Sequence, residues 1–236
     1  MLYMVHLGKE LPRWKIWESI FVIIEVLGIM FILGFFINKV MGIWQISELT
    51  IAFGASLVQA TLLIGLSFNV AVGKYKQNYY DLGFIPGGFS RGLVKGIKWG
   101  LLLFFLVIIL GMLVSVFIPV DPEPQDFAKI ILLTKSSWEF ILPIIMGVIL
   151  APLSEEIYFR GFLYPVLRSR LGVPVGILFS SLLFAGMHFD LYRFIPIAMG
   201  GVGLTYLYEK TGNIWTNVVA HAVWNAIMIA IIFIAM

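Results

Sequence analysis

Long apolar runs separated by short polar segments make up most of the chain. Three of these runs, at residues 17–37, 49–72 and 99–120, are about 20 residues long, which is the length an α-helix needs to cross the hydrocarbon layer of a bilayer. Each of the three therefore predicts a membrane-spanning helix.

Four further apolar runs follow in the second half of the chain, at residues 138–167, 173–188, 194–208 and 214–236. The middle two are short and contain glycine and proline, which membrane helices tolerate when neighbouring helices satisfy the freed backbone groups. The pattern predicts an all-α, polytopic transmembrane bundle of seven to eight helices. We expect residues 1–236 to form a single integral membrane domain.

Composition supports this class and excludes others. Hydrophobic residues make up 61% of the chain and charged residues only 12%, against about 25% charged residues in soluble domains. The net charge of +3 does not indicate nucleic-acid binding, because the basic residues lie in short loops between apolar runs. The absence of cysteine excludes disulfides and thiolate catalysis.

The loop charges predict the orientation of the chain. With a cytoplasmic N-terminus, the cytoplasmic segments hold eleven basic residues: Lys9, Arg13, Lys15, Lys74, Lys76, Arg91, Lys95, Lys98, Arg168, Arg170 and Lys210. The opposite segments hold four: Lys39, Lys129, Lys135 and Arg193. This bias predicts a multi-pass cell-membrane protein with its N-terminus inside. Residues 81–98 are expected to lie along the cytoplasmic interface or to form a basic loop.

The fourth run carries charges at membrane depth. Ionisable residues there are costly, so each is a candidate functional residue. Glu156 and Arg160 are four residues apart on one helical face and are expected to pair. Glu155 then points about 100° away and is left free, which suits a general base.

Histidine and asparagine side chains supply the other buried polar groups. His188 ends the fifth run, and Asn217, His221 and Asn225 form a stripe along the last one. Two carboxylates and two histidines on three spans are the components of either a water-activating acid–base site or a metal site with Glu and His ligands. Both readings imply hydrolysis.

Straight helices would not bring these residues together. His188 is expected near the outer end of its span, whereas His221 is about 10 Å from the inner end of the last span at 1.5 Å per residue. Convergence therefore requires tilted or broken helices, or a chain that dips into the membrane between residues 161 and 171.

Three segments within residues 151–225, EEIYFR, FAGMH and HAVWN, resemble the motifs EExxxR, FxxxH and HxxxN of the CPBP family, the CAAX proteases and bacteriocin-processing enzymes also called the Abi family. The resemblance implies an intramembrane endopeptidase similar to type II CAAX prenyl endopeptidases. By motif position, Glu155 and His188 would activate water, and His221 with Asn225 would stabilise the oxyanion. The supporting residues would be Glu156, Arg160 and Asn217.

The resemblance leaves the cofactor open. No cofactor is required by direct activation of water, which we favour, but Glu155, His188 and His221 are equally the ligand set for a zinc ion if the enzyme is metal-dependent. The expected partners are membrane lipid and a peptide or lipidated, prenylated protein substrate, and not nucleic acid. The small size is typical of prokaryotic members.

Two other classes remain as alternatives. A non-catalytic membrane scaffold or regulator, for example one that confers bacteriocin immunity, would retain the fold without the reaction. A proton-coupled transporter would also use intramembrane Glu and His, but it would be expected to show paired repeats with broken helices, and the sequence shows none.

Overall fold

The structure is a computed structural model in which residues 11–44, 46–118, 124–134, 136 and 139–235 are described. The described residues form eight helices and no strand: α1 (Ile16–Trp44), α2 (Glu48–Lys74), α3 (Gly88–Phe117), α4 (Asp126–Leu132), α5 (Ile141–Leu171), α6 (Val173–Gly186), α7 (Phe194–Thr211) and α8 (Ile214–Ala235). The predicted all-α bundle is confirmed.

Five helices, α1, α2, α3, α5 and α8, are long and apolar enough to cross a membrane. The two short predicted spans also form helices, α6 and α7, but α6 has only 14 residues and α7 is not among the five. The predicted limits at residues 120, 138 and 236, with Lys9 and Lys135, lie outside the described residues. The chain is thus a multi-pass membrane protein in which three of the described helices, α4, α6 and α7, are too short or too polar to span alone.

Contacts between helix ends define one end of the bundle, called here the basic end. Lys74 pairs with Glu18 at 2.6 Å, which joins the end of α2 to the start of α1. The backbone N–H of Ile214 donates to Gly83 O at 3.0 Å, which joins the start of α8 to the segment before α3. Arg91, Lys95, Arg168, Arg170 and Lys210 belong to helix segments that begin or end here.

The expectation of a separate segment or loop before the third span is wrong for residues 88–98, which belong to the same helix as the span. Tyr79–Leu82 is a short 3-10 helix capped by Asn78, and α3 begins at Gly88 and continues to Phe117. The physical reason is a seam of glycines at four-residue spacing, Gly88, Gly92, Gly96 and Gly100, which are buried against α8. A methyl group on Gly100 would lie 2.6 Å from Ala220 O, so α3 and α8 approach through their backbones.

Helix α5 is irregular on both sides of its glutamates. Ile145–Leu150 and Ile157–Leu163 are π-helical, with one α-helical segment, Ala151–Glu156, between them. Such wide turns occur mostly at functional sites. The second π-helical segment is packed against α1, because the Trp14 ring stacks on Phe162 with centroids 5.0 Å apart and Tyr158 Oη donates to Ser19 O at 2.9 Å.

Candidate active site

Glu156 is the centre of a fully buried polar network. Arg160 Nη1 donates to its Oε1 at 2.8 Å, so the predicted pair forms, and both side chains are inaccessible to solvent. Asn217 Nδ2 donates to Oε2 at 3.2 Å, and His221 Nδ1 lies 2.8 Å from Oε1. The polar stripe of α8 therefore finds its partner on α5. A buried charge with this many partners is stabilised where an isolated one would not be.

The network sets the hydrogen positions of His221. Glu156, ionised beside Arg160, can only accept, so the His221 ring donates from Nδ1. In the neutral ring Nε2 then carries a lone pair. His221 Nε2 lies 3.9 Å from Oε2 of Glu155, which is too far for a direct hydrogen bond.

Glu155 faces away from Glu156, as its position one residue earlier predicted. Its side chain is 19% exposed, and its Oε2 atom is buried without a hydrogen-bond partner among the described residues. The Glu155 Oε2 atom and the lone pair on His221 Nε2 are both hydrogen-bond acceptors, and they lie next to each other. One molecule with two donor hydrogens, such as water, would satisfy both.

His188 and His221 meet around one aromatic ring. The Phe184 ring centroid is 4.8 Å from that of His188 and 5.8 Å from that of His221. The ends of α6 and α8 that carry the two histidines therefore do approach each other, because α6 is short and ends in a turn before His188. The Nδ1 atom of His188 lies 2.8 Å from Phe184 O. The carbonyl can only accept, so Nδ1 donates and the neutral ring directs a lone pair on Nε2 away from its own helix.

A cavity of about 570 Å³ joins the predicted residues. Glu155, His188, His221 and Asn225 all line it, whereas Glu156, Arg160 and Asn217 do not and lie behind it. Asn225 Nδ2 donates to Gly147 O at 2.8 Å, in the first π-helical segment. The four predicted catalytic residues thus share one space, and the three supporting residues form a layer beneath it.

Most of the remaining lining was not predicted from the sequence. The cavity continues along the halves of α3 and α8 that lie away from the basic end, where Val107, Met112, Trp224 and Ile229 make its wall largely apolar. These residues carry no chemical signature. The glycine seam of α3 does have a recognisable sequence signature, a GxxxG spacing repeated three times from Gly88, but it was not part of the predicted site.

The residues predicted as possible zinc ligands are Glu155, His188 and His221. Among the residues described, no group of three His, Asp or Glu side chains is arranged so that it would hold a metal ion. Glu155 and His221 are close, but His188 does not complete a three-ligand set with them. We therefore derive no step through zinc.

The fold and the cavity define a class: a multi-pass helical membrane protein with a carboxylate and two histidines around a cavity between its helices. Comparison with known proteins shows which family within this class the chain resembles. Residues 137–227 match the family model described as Type II CAAX prenyl endopeptidase Rce1-like. The resemblance read from the three motifs is confirmed over this segment.

A curated relative from Bacillus subtilis (strain 168), named "Putative membrane peptidase YdiL", is 31% identical over 88 residues. The match covers 37% of this chain and 36% of that protein, so the chain aligns with about a third of the relative's length. No solved structure matches the chain.

Proposed function

We propose that the protein is an intramembrane endopeptidase that hydrolyses a peptide bond with a water molecule held between Glu155 and His221. The observation that carries this proposal is the Glu155 Oε2 atom, which is buried without a hydrogen-bond partner among the described residues 3.9 Å from His221 Nε2, both residues being part of the cavity lining. A water that donates to two acceptors at ordinary hydrogen-bond distances spans about 4 Å between them. Family and relative support the same reaction class.

Glu155 acts as the general base. It removes a proton from the water, whose oxygen attacks the carbonyl carbon of the scissile bond to give a tetrahedral oxyanion. The intermediate collapses when the carbon–nitrogen bond breaks, and Glu155 returns the proton to the leaving amine. The products are a carboxylic acid and an amine, so the hydrolysis is balanced without another reactant.

We propose a different task for His221 from the one that the motifs implied. The motif reading pairs Glu155 with His188, whereas the distance of 3.9 Å supports pairing with His221. Neutral His221 orients the water by accepting at Nε2, and it would donate to an oxyanion only after protonation there. Asn225 uses one amide hydrogen for Gly147 and has the second for the oxyanion.

The substrate is a membrane-associated peptide. The wall of the cavity is largely apolar, which fits an apolar segment or a lipid-modified residue beside the scissile bond. We include a prenylated CAAX protein among the candidates, with a peptide precursor as the other. We also propose that the N-terminus is cytoplasmic, which the charge bias of the loops supports. A prokaryotic origin is proposed from the small size of the chain.

The test uses purified full-length protein in proteoliposomes and a farnesylated CAAX peptide with a fluorophore and quencher across the predicted bond. We expect cleavage by the wild type and a loss of about 10²- to 10⁴-fold in Glu155→Gln, the range for general acid–base catalysis. Glu25→Gln is the matched control, because it makes the same change on α1, outside the cavity lining, and should keep full activity.

The other outcomes separate the alternatives. Full activity in Glu155→Gln would overturn the assignment of the base. No cleavage of farnesylated or unmodified peptides by a folded wild type would favour the scaffold or regulator. Activity that a chelator abolishes and zinc restores would replace direct water activation with the metal-dependent reading.

A further inference from the structure

A second surface of the protein has the features of a ligand site, on the outer face of α1 near the basic end. A shallow groove there is lined by Lys15, directly before α1, by Ile16, Trp17, Ile20, Phe21 and Ile24 of α1, and by Arg170 from the last turn of α5. It is separate from the catalytic cavity, since the two linings share no residue.

The groove combines two exposed cations with an apolar stripe. Lys15 and Arg170 are exposed and come from different segments of the chain, so the structure itself brings the two charges to one place. Below them, Trp17, Phe21 and Ile24 are 59%, 53% and 56% exposed and follow one face of α1. Because an exposed tryptophan beside basic residues is typical of the membrane interface, the cationic end lies at headgroup level.

We propose that this groove binds one anionic phospholipid from the leaflet at the basic end. Its phosphate contacts Lys15 and Arg170, and one acyl chain lies along Trp17, Phe21 and Ile24. Ile24 is nine positions after Lys15, which at 1.5 Å per residue is a rise of about 14 Å, close to half of the 30 Å hydrocarbon layer. The groove therefore has the charge and the length of a single lipid in one leaflet.

The two cations also explain why such a lipid would be selected by its headgroup. Each juxtamembrane basic residue increases the affinity for anionic lipids about fivefold. Lys74, which lies over the Trp17 ring at 5.8 Å, is already paired with Glu18, so it contributes less to the groove. A bound lipid would connect α1 to α5 and so stabilise the folded protein by linkage.

The test measures thermal unfolding of the full chain in a neutral detergent while dioleoyl phosphatidylglycerol is titrated. We expect phosphatidylglycerol to raise Tm saturably and phosphatidylcholine not to do so. Lys15→Gln/Arg170→Gln should weaken the apparent Kd for phosphatidylglycerol about 30-fold. Lys95→Gln/Lys98→Gln removes the same charge from exposed positions of α3 outside the groove and should leave that Kd unchanged.

Three results would overturn the proposal. Equal stabilisation by phosphatidylcholine would show that charge does not select the lipid. An equal loss in the α3 control pair would show diffuse attraction to the whole basic end. Stabilisation by glycerol phosphate to the same extent would assign the site to a free phosphate group, with no role for the apolar stripe. If the double variant fails to fold, the single Arg170→Gln variant should still weaken binding about 5- to 10-fold.

Discussion

Substituting Gly100 by alanine should impair the reaction without touching a polar residue. The added methyl group would lie 2.6 Å from Ala220 O and 2.7 Å from the Cβ atom of Val223. Ordinary contact needs about 3.5 Å, so α3 and α8 must separate locally by roughly 0.8 Å or more. Ala220 directly precedes His221, and the displacement is therefore transmitted to the Nε2 atom that faces Glu155.

The expected changes in rate and in stability can both be estimated. A misplacement of about 1 Å can cost 10²-fold in rate, so we expect kcat/KM to fall about 10- to 100-fold. Overpacking costs about 1–3 kcal/mol and alanine regains about 1 kcal/mol of helix propensity, so the protein should remain folded. The assay is cleavage of the quenched peptide, with Tm measured on the same preparation.

A matched control comes from the neighbouring helix. Gly65 is also helical, and a methyl group there would meet nothing within 4 Å. Gly65→Ala should keep full activity and gain up to about 1 kcal/mol of stability. If folded Gly100→Ala protein cleaved the peptide at the wild-type rate, or if both variants lost activity equally, the glycine seam would not control the position of His221.

Two other predictions concern the layer beneath the cavity and the contact between α5 and α1. Glu156→Gln leaves Arg160 as an uncompensated buried charge and should cost about 3–5 kcal/mol, seen as a large fall in Tm. Glu156→Leu/Arg160→Met replaces the ion pair with apolar side chains and should recover much of that stability but not the activity, since leucine offers His221 no acceptor. Recovery of activity in the double variant would contradict the role given to Glu156. Tyr158→Phe removes only the hydrogen bond to Ser19 O and should cost about 1 kcal/mol with unchanged kcat, so a large kcat effect would show that α1 influences the reaction directly.

The sequence predicted the local relations between the candidate residues better than it predicted their arrangement in space. Helical spacing was sufficient to pair Glu156 with Arg160 and to separate Glu155 from both, because those relations are local. The approach of His221 to the glutamates joins residues 65 positions apart and depends on packing between α5 and α8, which no local pattern encodes.

The boundaries of the elements show the same limit. The basic stretch before the third span looked interfacial because its lysines and apolar residues alternate, yet glycine packing against α8 makes it one helix with the span. The π-helical turns of α5 cannot be recognised from the pattern of apolar residues. Gly147, in the first of these segments, accepts a hydrogen bond from Asn225. Tertiary contacts decided both cases.

Phe184 separates two regions of different polarity. Its ring lines the cavity and lies next to both histidines, while the Arg160 guanidinium, which is not part of the lining, lies 4.5 Å from its centroid. Arg160 and Glu156 are both inaccessible to solvent, so their attraction is not screened by water. A smaller residue at this position would let water screen the ion pair, so the orientation of His221 depends in part on a side chain that has no polar atom.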